Sequence, residues 1–166
     1  MMETASMKRY VAFAAVALAA PHALAASATQ TFSTKITLVS QVIFSTAIAT
    51  VNFATAAGVL NSNADAQTMI YVQGANTTPY TIGIDQGTGA GATIAARKMS
   101  NGPAAVIYAL YQDSGRTLLW GVTGTELVSG VGTGSVQSYT VYGRVPSQAT
   151  PAPGTYSDTL TVTLTY

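Results

Sequence analysis

The chain has 166 residues, of which 48% are hydrophobic and only 8% charged, with no cysteine and a formal net charge of +1. So sparse and balanced a charge set leaves no electrostatic footprint for nucleic acid. The length suits a single domain.

The N-terminus reads as a secretory signal. Lys8 and Arg9 form a basic stretch, residues 11–20 a short apolar run, and Pro21 breaks it. Ala23, Leu24 and Ala25 then make a small-x-small cleavage site. Residues 1–25 are expected to be removed, with Met7 a more natural start than Met1. The apolar run is too short for a bilayer, which needs roughly 20 residues.

Removal of the signal also removes His22, the single histidine. Without histidine or cysteine, zinc, copper, haem and iron–sulfur sites lose their usual ligands. Ser-His-Asp and Cys-His catalysis are excluded as well. Lys35, Arg97, Lys98, Arg116 and Arg144 balance Asp65, Asp85, Asp113, Glu126 and Asp158. A secreted chain without net charge lacks the repulsion that normally keeps monomers apart. The expectation is a protein that is not an enzyme, with no metal and no cofactor.

Residues 26–40 form an N-terminal extension, and residues 41–166 the folded domain. Within the extension Phe32, Thr34, Ile36 and Leu38 share one face, while Ser33, Lys35 and Thr37 share the other. Period-two alternation predicts a strand over 31–39. Short extended pieces follow at 43–44 and 48–53, then a small, polar loop over 54–67. Further strands are expected at 68–72, 80–84, 95–99, 105–111, 117–120 and 136–143.

The intervening stretches carry turn chemistry: Gly74 to Pro79, the glycine loop 85–91, Ser114-Gly115, the glycines of 130–134 and the proline-bearing 146–154. Asn101-Gly102 is the strongest, since type I′ hairpin turns need positive φ at both central residues. Short strands about ten residues apart predict an all-β sandwich.

The last stretch, 156–166, is the most regular. Leu160, Val162, Leu164 and Tyr166 alternate with Thr159, Thr161, Thr163 and Thr165. One face is apolar, the other hydroxylated, and threonine suits a pleated surface. Such a strand needs a neighbour for its backbone and a cover for its apolar face.

Other clusters carry less. The glycines at 87, 89 and 91 lack the lysine and the helix of a phosphate loop, so a flexible hairpin loop is expected. Asp85, Asp113 and Glu126 each sit beside a turn, where acids bond the backbone, rather than at a spacing for glycoside cleavage. Tyr108, Tyr111, Tyr139 and Tyr142 are open to two readings, a sugar-stacking surface or half-buried strand tyrosines.

Several motifs then appear in order: TPYTIGID at 78–85, RKMSNG at 97–102, IYALYQD at 107–113, RTLLWG at 116–121, TVYGRVP at 140–146 and GTYSDTLTVTLTY at 154–166. Together they resemble the spore coat protein U family, which contains the Csu-type (archaic) chaperone–usher pilus subunits. The resemblance implies an immunoglobulin-like sandwich that lacks its last strand. A periplasmic chaperone would lend a strand during transport, an outer-membrane usher would receive the subunit, and a neighbouring pilin's extension would complete it in a head-to-tail fibre.

Carried onto this sequence, the donor strand presents Phe32, Thr34, Ile36 and Leu38. The acceptor edge and chaperone contact fall on Leu160, Val162, Leu164 and Tyr166. The implied function is a structural pilus subunit, in the shaft, supporting adhesion and biofilm formation at the cell surface. The alternative is a spore-coat or cell-surface coat or binding protein of the same family. The family's usual disulfide positions are held here by Phe44 and Gly74, so a large side chain opposite none is expected to fill the bridge's volume. Losing such a bridge costs about 2–4 kcal/mol, which would make the subunit lean on its inserted strand.

Overall fold

The computed structural model describes residues 33–53 and 60–166. Among them are eight strands and one 3-10 turn, Gly124–Glu126, with no α-helix. Strands β1 (Val42–Phe44), β2 (Ala64–Gly74), β7 (Val136–Val145), β5 (Ala104–Tyr111) and β4 (Arg97–Asn101) lie in that order in one antiparallel sheet. Strands β6 (Val128–Val131), β3 (Pro79–Ile84) and β8 (Val162–Thr165) form the other. The architecture is an all-β, immunoglobulin-like sandwich.

Alternation explains which side chains face inward. Ile70 and Val72 of β2, Ile82 and Ile84 of β3, Leu110 of β5 and Val141 and Val145 of β7 are all buried. They meet between the sheets with Trp120 and Tyr108. Trp120 donates its indole N–H to the carbonyl of Ile82 at 3.0 Å, so its polar atom is satisfied inside the core.

Four local expectations are corrected. The loop expected up to residue 67 ends earlier, because β2 already starts at Ala64, where Asp65 faces Arg144 across the ladder. The turn after β4 is Gly102-Pro103, not Asn101-Gly102, since Asn101 still pairs with Ala104. Gly102 takes a φ of 58° and Pro103 fixes its own φ negative, the pattern of a type II′ turn. Residues 117–120 form no strand, only a single bridge from Leu119 to Tyr111. The Asp113 carboxylate takes the amides of Thr117 and Leu118 at 2.9 and 2.8 Å, which diverts them from a ladder.

The fourth is β6, which lies where the sequence suggested only a glycine run. Gly130 is required there by packing: a Cβ at that position would meet the Tyr80 ring at 2.6 Å. The hydroxyls of Tyr80 and Tyr139 are 2.7 Å apart beside it.

Candidate assembly groove

The terminal alternation is visible in burial. Tyr156, Asp158, Leu160, Val162 and Leu164 are half-buried, while every residue between them is exposed. Only the last part is a strand, however. Strand β8 pairs with β3 through Thr81↔Thr165 and Ile84↔Val162, and it is the edge of its sheet.

Residues 157–161 form no continuous ladder: Ser157 makes a single backbone bridge with Ser100, the Thr161 carbonyl accepts the amide of Asp85 at 3.0 Å, and side chains hold the rest. Thr161 donates its amide to the Asp85 carboxylate at 3.0 Å, and Thr159 donates to Asp158 at 2.8 Å. Asp158 also accepts the amide of Thr88 at 2.9 Å and the hydroxyl of Tyr108 at 2.8 Å. Burial raises the Asp85 carboxyl, but the amides of Thr161 and Gly87 outweigh it and hold it below the usual range. Burial, and then the bond to Asp158, push the Tyr108 hydroxyl far above its ordinary value.

Beside this segment the sandwich is open. A groove of about 450 Å³ runs between Ile48, Val51 and Phe53 on one side and Tyr156, Leu160 and Val162 on the other. Its floor is Ile70, Ile84, Leu110 and Val141. Phe53 meets Tyr108 edge to face at 5.9 Å, which fixes one wall. A second hollow of about 810 Å³ shares Val51, Phe53 and Tyr156 and continues over Ala64, Val106 and Val145, beneath residues 150–157. The groove is apolar and lies along a sheet edge, a shape suited to an added strand.

Under this groove sits a feature the sequence hid. Arg97 is fully buried and donates to four carbonyls: Asp85 at 2.8 Å, Ile94 at 2.9 Å, Ile84 at 2.9 Å and Trp120 at 2.6 Å. Burial lowers its pKa. It ties the end of β3 to the segment carrying Trp120, and so positions Asp85 against Thr161.

The extension is exposed throughout residues 33–40 and carries no strand there. Ile36 and Leu38 are 82% and 85% exposed, and Thr34 is exposed too. Phe32 lies outside the described residues. Tyr166 is 61% exposed beyond β8.

Gly74 faces Val42, and Phe44 lies two residues on, opposite Val72. A Cβ on Gly74 would meet the Gly132 backbone at 3.0 Å, Val42 at 3.4 Å and Tyr80 at 3.5 Å. Those residues are the nearest neighbours a side chain at Gly74 would meet.

Of the sequence's other candidates, Asp85 and Asp113 both bind main-chain amides. Tyr108 is buried and Tyr139 points inward to Tyr80, so the four tyrosines do not share one surface. The Arg116 guanidinium covers the Tyr142 ring at 5.8 Å.

The family model for the spore coat protein U domain matches residues 25–163. The chain belongs to the spore coat protein U family. Among solved structures, this family member is similar to a chain of the CsuC–CsuE chaperone–tip adhesion subunit pre-assembly complex from the archaic chaperone-usher Csu pili of Acinetobacter baumannii. The TM-score is 0.49 and the identity 17%, over 77% of this chain and 40% of that one. A comparison with curated proteins gives no match.

Proposed function

We propose that this family member is a structural subunit of a chaperone–usher pilus, forming the shaft by donor-strand complementation. Residues 31–39 of one copy lie in the groove of the next, with Phe32, Thr34, Ile36 and Leu38 turned inward against Leu160, Val162 and Leu164. A periplasmic chaperone occupies the groove first and contacts the exposed end at Tyr166. The subunit then passes an outer-membrane usher to the cell surface, where the fibre serves adhesion and biofilm formation. No catalysis and no cofactor enter this reading.

One observation carries it. The half-buried Leu160 and Val162 line an open apolar groove beside the edge strand β8, while the same chain holds an alternating segment exposed. A donor segment and an acceptor groove on the same chain make a heterologous contact between copies, which propagates into an open filament. Burying Ile36 and Leu38 alone is worth roughly 1.5–3 kcal/mol each.

Deletion of residues 26–39 tests this. Chaperone binding should survive, because the groove is intact, and filaments seen by electron microscopy should disappear. Filaments that persist after the deletion would refute the reading.

A further inference from the structure

We infer that the outer face of the five-stranded sheet binds an acidic polysaccharide, a chain of uronic acid units, through Tyr111, Tyr142, Gln67 and Arg144.

Alternation puts on this face what the core leaves out. Leu110, Val141 and Val145 point into the sandwich, so Tyr111, Tyr142 and Arg144 point away from it. The ladders set them side by side. Tyr111 faces Tyr142 on the neighbouring strand, Tyr142 faces Gln67 on the next, and two residues along Arg144 faces Asp65. Strands lie about 4.8 Å apart, so two phenol rings and an amide make a row of about 10 Å. That row suits an oligosaccharide better than a single small anion. Of the four tyrosines singled out in the sequence, these two do share a surface.

The row carries an unbalanced cation. Asp65 is the one carboxylate among the outward residues of β2, β5 and β7. Arg144 binds it through Nε at 2.7 Å and Nη2 at 2.8 Å, and Arg116 brings Nη1 to 3.3 Å from it. Two guanidiniums on one carboxylate leave a positive charge over. Asp113, in the adjoining loop, spends its carboxylate on the amides of Thr117 and Leu118.

The two arginines divide the work. Arg116 is 14% exposed, bonds the Gly143 carbonyl at 3.2 Å and lies over the Tyr142 ring. Its loop holds it at a φ of 58°, uncommon for a residue with a Cβ, so the guanidinium is placed at a backbone cost. Arg144 is 30% exposed, and its Nη1 donates to none of the described residues. Those N–H groups remain for a carboxylate from outside, which a guanidinium matches in shape and charge.

The rest of the row selects a sugar. A sugar ring has an apolar C–H face and a rim of hydroxyls. Tyrosine offers a flat apolar body with a polar tip, and it loses little entropy on binding. Exposed Gln67 supplies an amide donor and acceptor beside the rings. Duplex DNA would need several cations in line with its phosphates, and the row has one to spare. A single such site is weak. In a filament every copy repeats it, and a polymer that engages many copies gains avidity. That last step alone rests on the donor-strand reading.

Titration calorimetry on the full-length chain at low salt tests the site, with an alginate tetrasaccharide against neutral maltotetraose. The acidic sugar should bind at one site per subunit, roughly tenfold tighter than the neutral one. Gln67→Glu adds a carboxylate at an exposed position of the row and should weaken binding several-fold. Thr163→Glu adds the same charge on the other sheet and should change nothing. Tyr111→Ser should also weaken binding, with every charge retained. No binding, equal affinity for maltotetraose, or equal effects of the two glutamates would overturn the site. So would duplex DNA that displaces the tetrasaccharide at equal charge concentration. Side-by-side bundles of filaments that Gln67→Glu disperses while sugar binding stays unchanged would assign the face to filament pairing instead. Long alginate should bind filaments about a hundredfold or more tighter than the tetrasaccharide does. If the chain forms no filaments, the donor-strand reading fails and that gain vanishes, while the tetrasaccharide still decides the site.

Discussion

Arg97 donates through Nη2 to the Trp120 carbonyl at 2.6 Å, while Trp120 donates its indole to Ile82 at 3.0 Å. One buried cation and one buried indole thus join three chain segments without a carboxylate partner. A buried charge costs several kcal/mol to desolvate, and only a full set of donors and acceptors offsets that.

Arg97→Met should therefore destabilise the domain strongly. The four carbonyls lose their donor, and each buried acceptor left unpaired costs about 1–3 kcal/mol. A loss on the order of 3 kcal/mol or more is expected in urea unfolding of the full chain. Arg97→Lys should rescue little, because an ammonium cannot match the planar fork. A methionine variant as stable as the parent would show that the network contributes nothing net.

The groove makes a prediction with its own control. Val162→Glu places a carboxylate on the inward row, where an inserted strand would have to bury it. Thr163→Glu places the same charge on the exposed face. The first should abolish filaments, and the second should leave them unchanged in electron microscopy. Equal behaviour of the two variants would separate the alternation from assembly.

The same alternation marks how far the sequence was legible. Residues 68–72, 80–84, 105–111 and 136–143 fall in strands because a half-buried sheet imposes period two on the chain. The terminal row was legible for the same reason, and its inward side chains are the half-buried ones. What escaped was whatever depends on a distant partner. Arg97 reads as a surface cation until the carbonyls around it are seen. Gly130 reads as a loop until Tyr80 and Tyr139 are packed against it. The wall at 48–53 has no ladder to announce it, and 157–161 look like a strand although Asp158 and Asp85 take the amides of Thr159 and Thr161.

Gly130→Ala tests that packing directly. The new methyl would overlap the Tyr80 ring, which is hydrogen-bonded to Tyr139 and to Gln137 and cannot swing away freely. Overpacking of this kind costs about 1–3 kcal/mol. The thermal midpoint should fall by several degrees. A companion Tyr80→Leu should recover part of the loss, since it removes the clashing ring. If it recovers none, the clash lies elsewhere.

Stability should also fall in alkali. Burial, and then the Tyr139 hydroxyl, raise the Tyr80 pKa above its ordinary value of 10, and burial with the Asp158 bond does the same to Tyr108. Groups whose pKa is raised on folding stabilise the fold fully below the unfolded value and lose that contribution as pH rises through the folded one. The loss therefore begins above about pH 10, where the unfolded phenols ionise and the folded ones do not. Melting temperatures measured from pH 8 to 11.5 should decline steeply past 10. In a chain carrying Tyr80→Phe and Tyr108→Phe the decline should flatten, because two of its sources are gone. An identical decline in that variant would assign the alkaline loss to other groups.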